Sequence, residues 1–263
     1  MPVLGMTKQD LRLLGNLVRM SLSDRYMGSI LGRFWAVMHP LLLLGMYAFI
    51  FGFIYKSKLP GAETTFAYAI WLISGFVPYL AIQDSLGGTT SCVLSSSSLV
   101  KNVVFKSESL PVAATVVSAV PFAVGLAFLF ILLLIDGNYP TWHVVFLIPT
   151  IVLQFAFLMG IGLFLSATAV FLRDVVQVIP TATLLIVFFT PIFYTVQMLP
   201  APVRTINFFN PFFQMVQPYR DALLSHTVPN LWGMGYLAMI SLVMLYAGFK
   251  YYNRLKGYFE MAL

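Results

Sequence analysis

Six stretches of this chain are apolar and free of formal charge, and they leave it few ways to fold. They run roughly over residues 35–55, 66–82, 111–135, 143–171, 176–194 and 231–249, and none contains Asp, Glu, Lys or Arg. An apolar helix of about 20 residues matches the roughly 30 Å hydrocarbon core of a bilayer. The second stretch is short and leans on Pro78 and the residues after it. Only 9% of the 263 residues are charged, 60% are hydrophobic, and mean hydropathy is +0.89. A soluble domain carries about 25% charged residues, so no water-soluble core accommodates this composition. The expected fold class is an all-α integral membrane protein with six transmembrane helices, an N-terminal amphipathic interfacial helix and short re-entrant helices before the last span.

The interfacial helix belongs to residues 1–34. Within 7–25, Arg12, Asn16, Arg19 and Ser23 form one polar stripe, and Leu14, Leu17, Val18 and Leu22 lie away from it. Thr7 and Asp10 resemble a capping box. A basic amphipathic helix ahead of a span lies in the headgroup plane, the alternative being a cytosolic helix packed on a partner. Residues 1–34 carry charges throughout, so no cleavable signal peptide is expected.

An even number of spans places both termini on one side. With that side cytoplasmic, eleven cations fall inside: Lys8, Arg12, Arg19, Arg25 and Arg33; then Lys101, Lys106 and Arg173; then Lys250, Arg254 and Lys256. Four fall outside, at Lys56, Lys58, Arg204 and Arg220. Eleven against four sets the orientation by the positive-inside rule. The net charge of +6 then needs no nucleic-acid partner. The layout is spans one and two in 35–82, a cytosolic loop in 83–110, spans three and four in 111–171, and span five in 176–194. An outer segment follows in 195–230, then the last span in 231–249 and a cytosolic tail in 250–263. In the 83–110 loop, Ser95–Ser98 suggest a flexible linker. The spacing of Val93, Leu94, Leu99, Val100, Val103 and Val104 instead fits a short amphipathic helix that docks a cytosolic partner.

Residues 195–224 are neither loop nor span. They hold Phe208, Phe209, Phe212, Phe213 and Tyr219, too many aromatics for a solvated linker, and Pro200, Pro202, Pro211 and Pro218, too many prolines for one long helix. Asn210-Pro211 reads as a helix start, with Asn as cap and Pro at the first helical position. Two short helices are expected, near 200–209 and 211–224. Neither covers a hydrocarbon core at 1.5 Å per residue. Broken helices at membrane depth survive when buried in protein or facing a water-filled cavity.

Several chemistries are missing. There is no G-x-x-x-x-G-K-[ST] and no H-E-x-x-H, so neither a P-loop nor that metalloprotease site is present. The single Cys92 excludes an intramolecular disulfide and a multi-cysteine metal cluster, and reads as inert packing. His39, His143 and His226 lie far apart at segment edges, and no metal site is expected. Gln154 is expected to hydrogen-bond between helices. Ion-driven transporters place ionisable groups inside the bilayer; this chain does not, so energy for any transport would come from another polypeptide.

Two motif regions carry a resemblance. Arg25-Tyr26-x-x-Ser29-x-Leu31-Gly32-x-x-Trp35-x-x-x-x-Pro40 leads into the first span. Phe171-Leu172-Arg173-Asp174 leads into the fifth, which closes with Thr190-Pro191-Ile192-Phe193-Tyr194, then Pro200, then Asn210-Pro211. Together they resemble the membrane (permease) subunit of ABC-type polysaccharide exporters, the O-antigen, capsule and teichoic-acid export family, across essentially the whole chain. The resemblance implies a homodimer with two copies of a nucleotide-binding ATPase subunit. ATP and Mg would sit on that subunit, leaving this chain without a cofactor and not an enzyme. It further implies export of a polyprenyl-diphosphate-linked polysaccharide, O-antigen as the first choice, across the bacterial inner membrane. Segment 83–110 would be gripped by the ATPase, with Leu94, Leu99, Lys101, Val103 and Lys106 as contact candidates, and 200–224 would dip back into the membrane at the outer exit.

The residues accommodate this picture. Aromatic side chains offer flat apolar contact to the C–H face of a sugar without fixing its register. The channel candidates are Phe188, Phe193, Tyr194, Phe208, Phe209, Phe212, Phe213 and Tyr219; the plainer alternative is an aromatic belt or core packing. The diphosphate headgroup calls for guanidinium groups, and Arg25, Arg33 and Arg173 are the candidates. Positive-inside anchoring, or a local Arg173-Asp174 ion pair, is the alternative. Competing functions are a permease of the same architecture for capsule, teichoic acid, or a lipid or drug amphiphile, a membrane-embedded glycosyl- or acyltransferase, and a non-transporting scaffold. The transferase would need a catalytic base or carboxylate pair near the interface, and the nine acidic residues are dispersed.

Overall fold

The computed structural model describes residues 8–26, 31–54, 64–103 and 105–263, without the side chains of residues 8, 9, 26 and 33. Thr7, Ser29, Lys56, Lys58 and Val104 lie outside the described residues. Helix α1 spans Lys8–Tyr26, and α2 spans Trp35–Ala48, passing into a π-helical turn over Phe49–Ile54. Then come α3 (Thr65–Ser95), α4 (Ser97–Asn102), α5 (Ser109–Val117), α6 (Ala119–Ile135), α7 (Leu147–Phe171) and α8 (Asp174–Phe189). The chain continues through α9 (Ala201–Phe208), α10 (Pro211–Leu223), α11 (Leu231–Leu255) and α12 (Phe259–Ala262).

Five helical stretches among the described residues are long and apolar enough to cross a membrane: Trp35–Ile54, Thr65–Ser95, Ser109–Ile135, Trp142–Phe171 and Leu231–Ala262. The sixth apolar segment forms only α8, with 16 residues. At 1.5 Å per residue that is roughly 24 Å, short of the hydrocarbon thickness. Helix α3 has 31 residues and continues unbroken past Ile82 to Ser95, because Gly87-Gly88 cost a helix less than lost packing would. Thr89 and Thr90 bond back to Ser85 O and Leu86 O at 2.6 Å each, which satisfies buried hydroxyls inside it.

Helix α3 is the central element. Tyr68, Ile70, Leu72, Ile73, Phe76 and Val77 are all nearly inaccessible, and α3 packs against α5, α6, α7, α8 and α10. The helix is buried nearly all round, which explains why its sequence shows no amphipathic face.

Helices α7 and α11 pack most extensively, and two glycines set their spacing. A Cβ on Gly248 would fall against the carbonyl of Gly160, and one on Gly160 against the backbone of Met244 and Leu245. Close backbone approach at small residues is the usual means of helix association in membranes.

One end of the bundle gathers α1 and the helices that close the chain. Leu17 of α1 shares a buried cluster with Val93, Leu110, Leu163, Tyr252 and Phe259. Its neighbours Leu13, Leu14 and Val18 pack on the same cluster, so the apolar face of α1 lies against the chain's own helices. The polar stripe of Arg12, Asn16 and Arg19 faces outward. Three ion pairs fasten this end: Arg25–Asp84 at 2.9 Å, Lys106–Asp10 at 2.6 Å and Lys256–Glu108 at 3.3 Å.

Gly248→Val should destabilise the α7–α11 contact by overpacking, about 1–3 kcal/mol or more. Gly235→Ala, on the same helix with nothing within 4 Å of the added Cβ, should be tolerated. Thermal unfolding of the two purified variants in detergent checks this: a lower midpoint for the first, an unchanged one for the second.

Candidate functional site

The opposite end of the bundle is built from the start of α3, the turn after α6, and residues 190–230. Helix α8 stops at Phe189, and residues 190–200 run without α-helix before α9. Asn210 caps α10 as its sequence suggests: its Oδ1 accepts from Phe212 N at 3.0 Å, and Pro211 takes the first helical position. Helices α9 and α10 therefore have 8 and 13 residues.

Irregular backbone buried in protein leaves carbonyls without ladder partners, and each needs a donor. Arg220 supplies two. It is 4% exposed; its Nη1 donates to Pro191 O at 2.6 Å and its Nη2 to Ile192 O at 3.2 Å. Tyr68 supplies the next, from its hydroxyl to Phe193 O at 3.2 Å. The guanidinium carbon lies 3.7 Å from the ring centroid of Trp71, a cation–π contact. Gly75 makes room, since a Cβ there would stand 2.7 Å from Arg220 Nη2. Burial lowers the Arg220 pKa to about 9, with Asp221 opposing the shift, so the group stays cationic at neutral pH. Burial likewise raises the Asp221 carboxyl, opposed by Gln217 and Arg220.

A polar relay ties α10 into the core. Tyr219 Oη donates to Gln154 Oε1 at 2.9 Å, and Gln154 Nε2 donates to Pro78 O at 3.0 Å. Gln154 thus bonds between α7, α3 and α10. His226, with φ +50°, pairs with Asn138 at 2.6 Å and with Thr141 at 3.2 Å, joining the turn before α11 to the turn after α6. Among the described residues no three His, Cys, Asp or Glu side chains gather where they could hold a metal.

The eight aromatic channel candidates separate into groups. Phe193 packs among Tyr47, Phe51, Phe76 and Phe188, with centroids 4.5–5.7 Å away. Phe212 meets Phe157 edge-on, and Tyr219 and Phe213 are buried. Phe188 and Phe209 point out of the chain, 54% and 61% exposed. Tyr194 and Phe208 are half-buried, and Tyr194 Oη donates to Phe188 O at 2.8 Å. Phe208 and Phe213 line a cavity of about 670 Å³ between α9, α10 and Trp71.

At the other end, Arg25 Nη1 contacts both oxygens of Asp84, at 2.9 and 3.0 Å. Arg173 is exposed at the start of α8, and the Arg33 side chain lies outside the described residues. Leu94 and Leu99 are half-buried, while Lys101 and Val103 are exposed on and just after α4. Lys101, Val103 and Lys106 border a groove of about 340 Å³ with Glu108, Lys256 and Glu260.

Sequence reasoning counted Arg220 only as an outer positive charge and missed its structural role. A signal was available: it is a lone cation beside Pro218-Tyr219, on a helix too short to span, next to a stretch whose carbonyls must find donors.

These features define a multi-pass, all-α membrane protein with a broken, polar-stitched end and a cationic, ion-paired end that holds both termini. The chain belongs to the ABC-2 type transporter family, whose model matches residues 12–224. Membership makes it the membrane component of a transporter and implies association with an ATPase subunit. It is 26% identical over 237 residues to the O-antigen export system permease protein RfbA of Myxococcus xanthus, covering 89% of each chain. It is also 26% identical over 243 residues to a protein of the same name from Klebsiella pneumoniae, covering 92% of this chain and 91% of the other.

Gln154→Leu and Tyr219→Phe should each destabilise the fold, and together by less than the sum of their effects. The expected coupling energy is about 0.5–1.7 kcal/mol, the range of interhelical hydrogen bonds in membranes. A double-mutant cycle on unfolding free energy measures it, and additivity within error would show that the bond contributes nothing.

Proposed function

We propose that this chain is the permease of an ATP-driven exporter that moves a polyprenyl-diphosphate-linked O-antigen polysaccharide across the bacterial inner membrane. The carrying observation is the near full-length match to permeases named for O-antigen export. Two structural features support it. The long helices hold no Asp, Glu, Lys or Arg across their apolar stretches, whereas ion-driven transporters usually place such groups there. The end away from the termini is built of broken helices with aromatic and amide side chains, suited to a hydroxylated, ring-shaped cargo.

In this reading the protein works as a homodimer with two ATPase subunits, and both termini are cytoplasmic. The groove beside α4 receives an ATPase subunit through Leu94, Leu99, Lys101, Val103 and Lys106, a surface with apolar contact and basic charge. ATP and Mg belong to that partner. Helices α9 and α10 re-enter the membrane from the outer side, and α8, lengthened by the packed irregular segment after it, completes a sixth crossing. Arg25, Arg33 and Arg173 meet the diphosphate headgroup from the cytoplasmic side, where a guanidinium gives bidentate contact. Asp84 holds Arg25 in a fixed orientation until a phosphate competes for it. Capsule or teichoic acid would suit the same architecture, since the cargo contacts proposed are to rings and hydroxyls in general.

Arg25→Ala should lower surface polysaccharide strongly while the chain still folds and still co-purifies with its ATPase subunit. Immunoblotting of surface glycan beside affinity pull-down checks both halves. Unchanged surface glycan would remove Arg25 from the headgroup role, and unchanged glycan in a strain deleted for the whole chain would remove the export reading.

A further inference from the structure

A cavity lies between the start of α3, the 195–197 turn, α9 and α10. It has a volume of about 670 Å³, inside the range of about 300–1,000 Å³ typical of small-molecule sites. Its apolar surface comes from Trp71, Phe208, Phe213 and Leu224. Its polar lining includes the neutral side chains of Gln197, Gln214, Gln217, Asn230, Thr195 and Ser225, beside Arg204, Arg220 and Asp221.

The hydrogen bonds show what is left for a ligand. Gln217 Nε2 donates to Asp221 Oδ1 at 2.7 Å, which leaves Gln217 Oε1 and Asp221 Oδ2 with no donor among the described residues. Gln197 sits on an exposed turn, and its side-chain amide has no partner among them. The two cations of the wall are each partly engaged. Arg204 Nη2 donates to Gln197 O at 3.1 Å and to Leu199 O at 3.4 Å, and Arg220 is held by Pro191 O, Ile192 O and the Trp71 ring. An anion would meet repulsion from the Asp221 carboxylate. A hydroxyl both donates and accepts, so it matches a carboxylate oxygen and amide groups that do the same. Aromatic rings beside such groups suit the C–H face of a sugar.

We propose that this cavity is a binding site for a single sugar residue within each chain. Gln197, Gln217 and Asp221 engage its hydroxyls, and Phe208 and Phe213 flank its ring. The proposal rests on the export reading only for the source of the sugar: a residue of the passing polymer would lodge here between strokes.

Saturation-transfer NMR on the full-length chain in nanodiscs tests it. The probes are millimolar methyl glycosides of glucose, galactose, mannose, rhamnose and N-acetylglucosamine, with inorganic phosphate as a separate phosphorus-NMR arm. The expected result is transfer to the ring protons of at least one glycoside, with binding roughly two- to tenfold weaker in Gln217→Ala and in Gln197→Ala. Phe53→Ala, an exposed aromatic outside the cavity, should bind as the parent does. Gln197→Ala carries the test should Gln217→Ala fold poorly, because Gln197 is at the surface. No transfer from any glycoside, transfer undiminished in the folded variants, or binding of phosphate alone would overturn the proposal. Silent glycosides beside intact, chain-dependent surface glycan sink this site and spare the export reading. Sugar binding in a strain whose surface glycan survives deletion of the chain does the reverse.

Discussion

A buried guanidinium and a broken run of backbone need each other here. Residues 190–200 form no α-helix, and an unmet carbonyl away from water costs several kcal/mol in the extreme of a hydrocarbon surround. A buried arginine alone is equally unfavourable. Arg220 joined to Pro191 O, Ile192 O and the Trp71 face resolves both, and the fit requires that residue 75 have no side chain. Lysine would not substitute well, because its point charge cannot reach two carbonyls and lie flat on an indole together. Tyr68 extends the same logic to Phe193 O. The broken end is therefore a stitched and packed element, and the cavity beside Trp71 has firm walls.

The other end is fastened differently. Ion pairs Arg25–Asp84, Lys106–Asp10 and Lys256–Glu108 are each partly exposed, and pairs of that kind contribute only about 0–1 kcal/mol. Their value is connectivity. They join α1 to α3, α1 to the segment after α4, and that segment to the chain's last helices. Beneath them Leu17, Tyr252 and Phe259 share one apolar cluster, on which Val100 of α4 also packs.

Much of this was legible in the residues. Long apolar segments marked the spans, and Asn210-Pro211 marked the start of α10, because capping and proline chemistry are local. Gln154 was expected to bond between helices and does, since a buried amide must find partners. Less legible was anything decided by tertiary contact. Nothing in Gly87-Gly88 or Ser95 announces that α3 continues to Ser95; its packing against α5 and α7 decides that. The apolar side of α1 could be read, but whether lipid or protein would cover it could not. Arg220 was visible only as a charge, because its acceptors are set by a break some 30 residues earlier in the chain. Among the aromatics, sequence spacing cannot tell inward from outward on helices as short as α9 and α10.

That last distinction bears on any conduit between two copies of the chain. Phe193, Phe212 and Tyr219 are already spent on the chain's own core, in contact with Phe76, Phe157 and the Gln154 relay. Exposing one to a cargo would break packing that holds α10 in place. The aromatics that can meet a second copy without such a cost are those already turned outward, Phe188, Phe189 and Phe209. Aromatic rings of two kinds thus occupy this end of the molecule: a set packed in the chain's own core, and an outward-facing set on the surface that a sliding polymer could touch. A cargo that moves through needs contacts of the second kind, since each must be released at every step, and the first kind supplies the rigidity against which those contacts act.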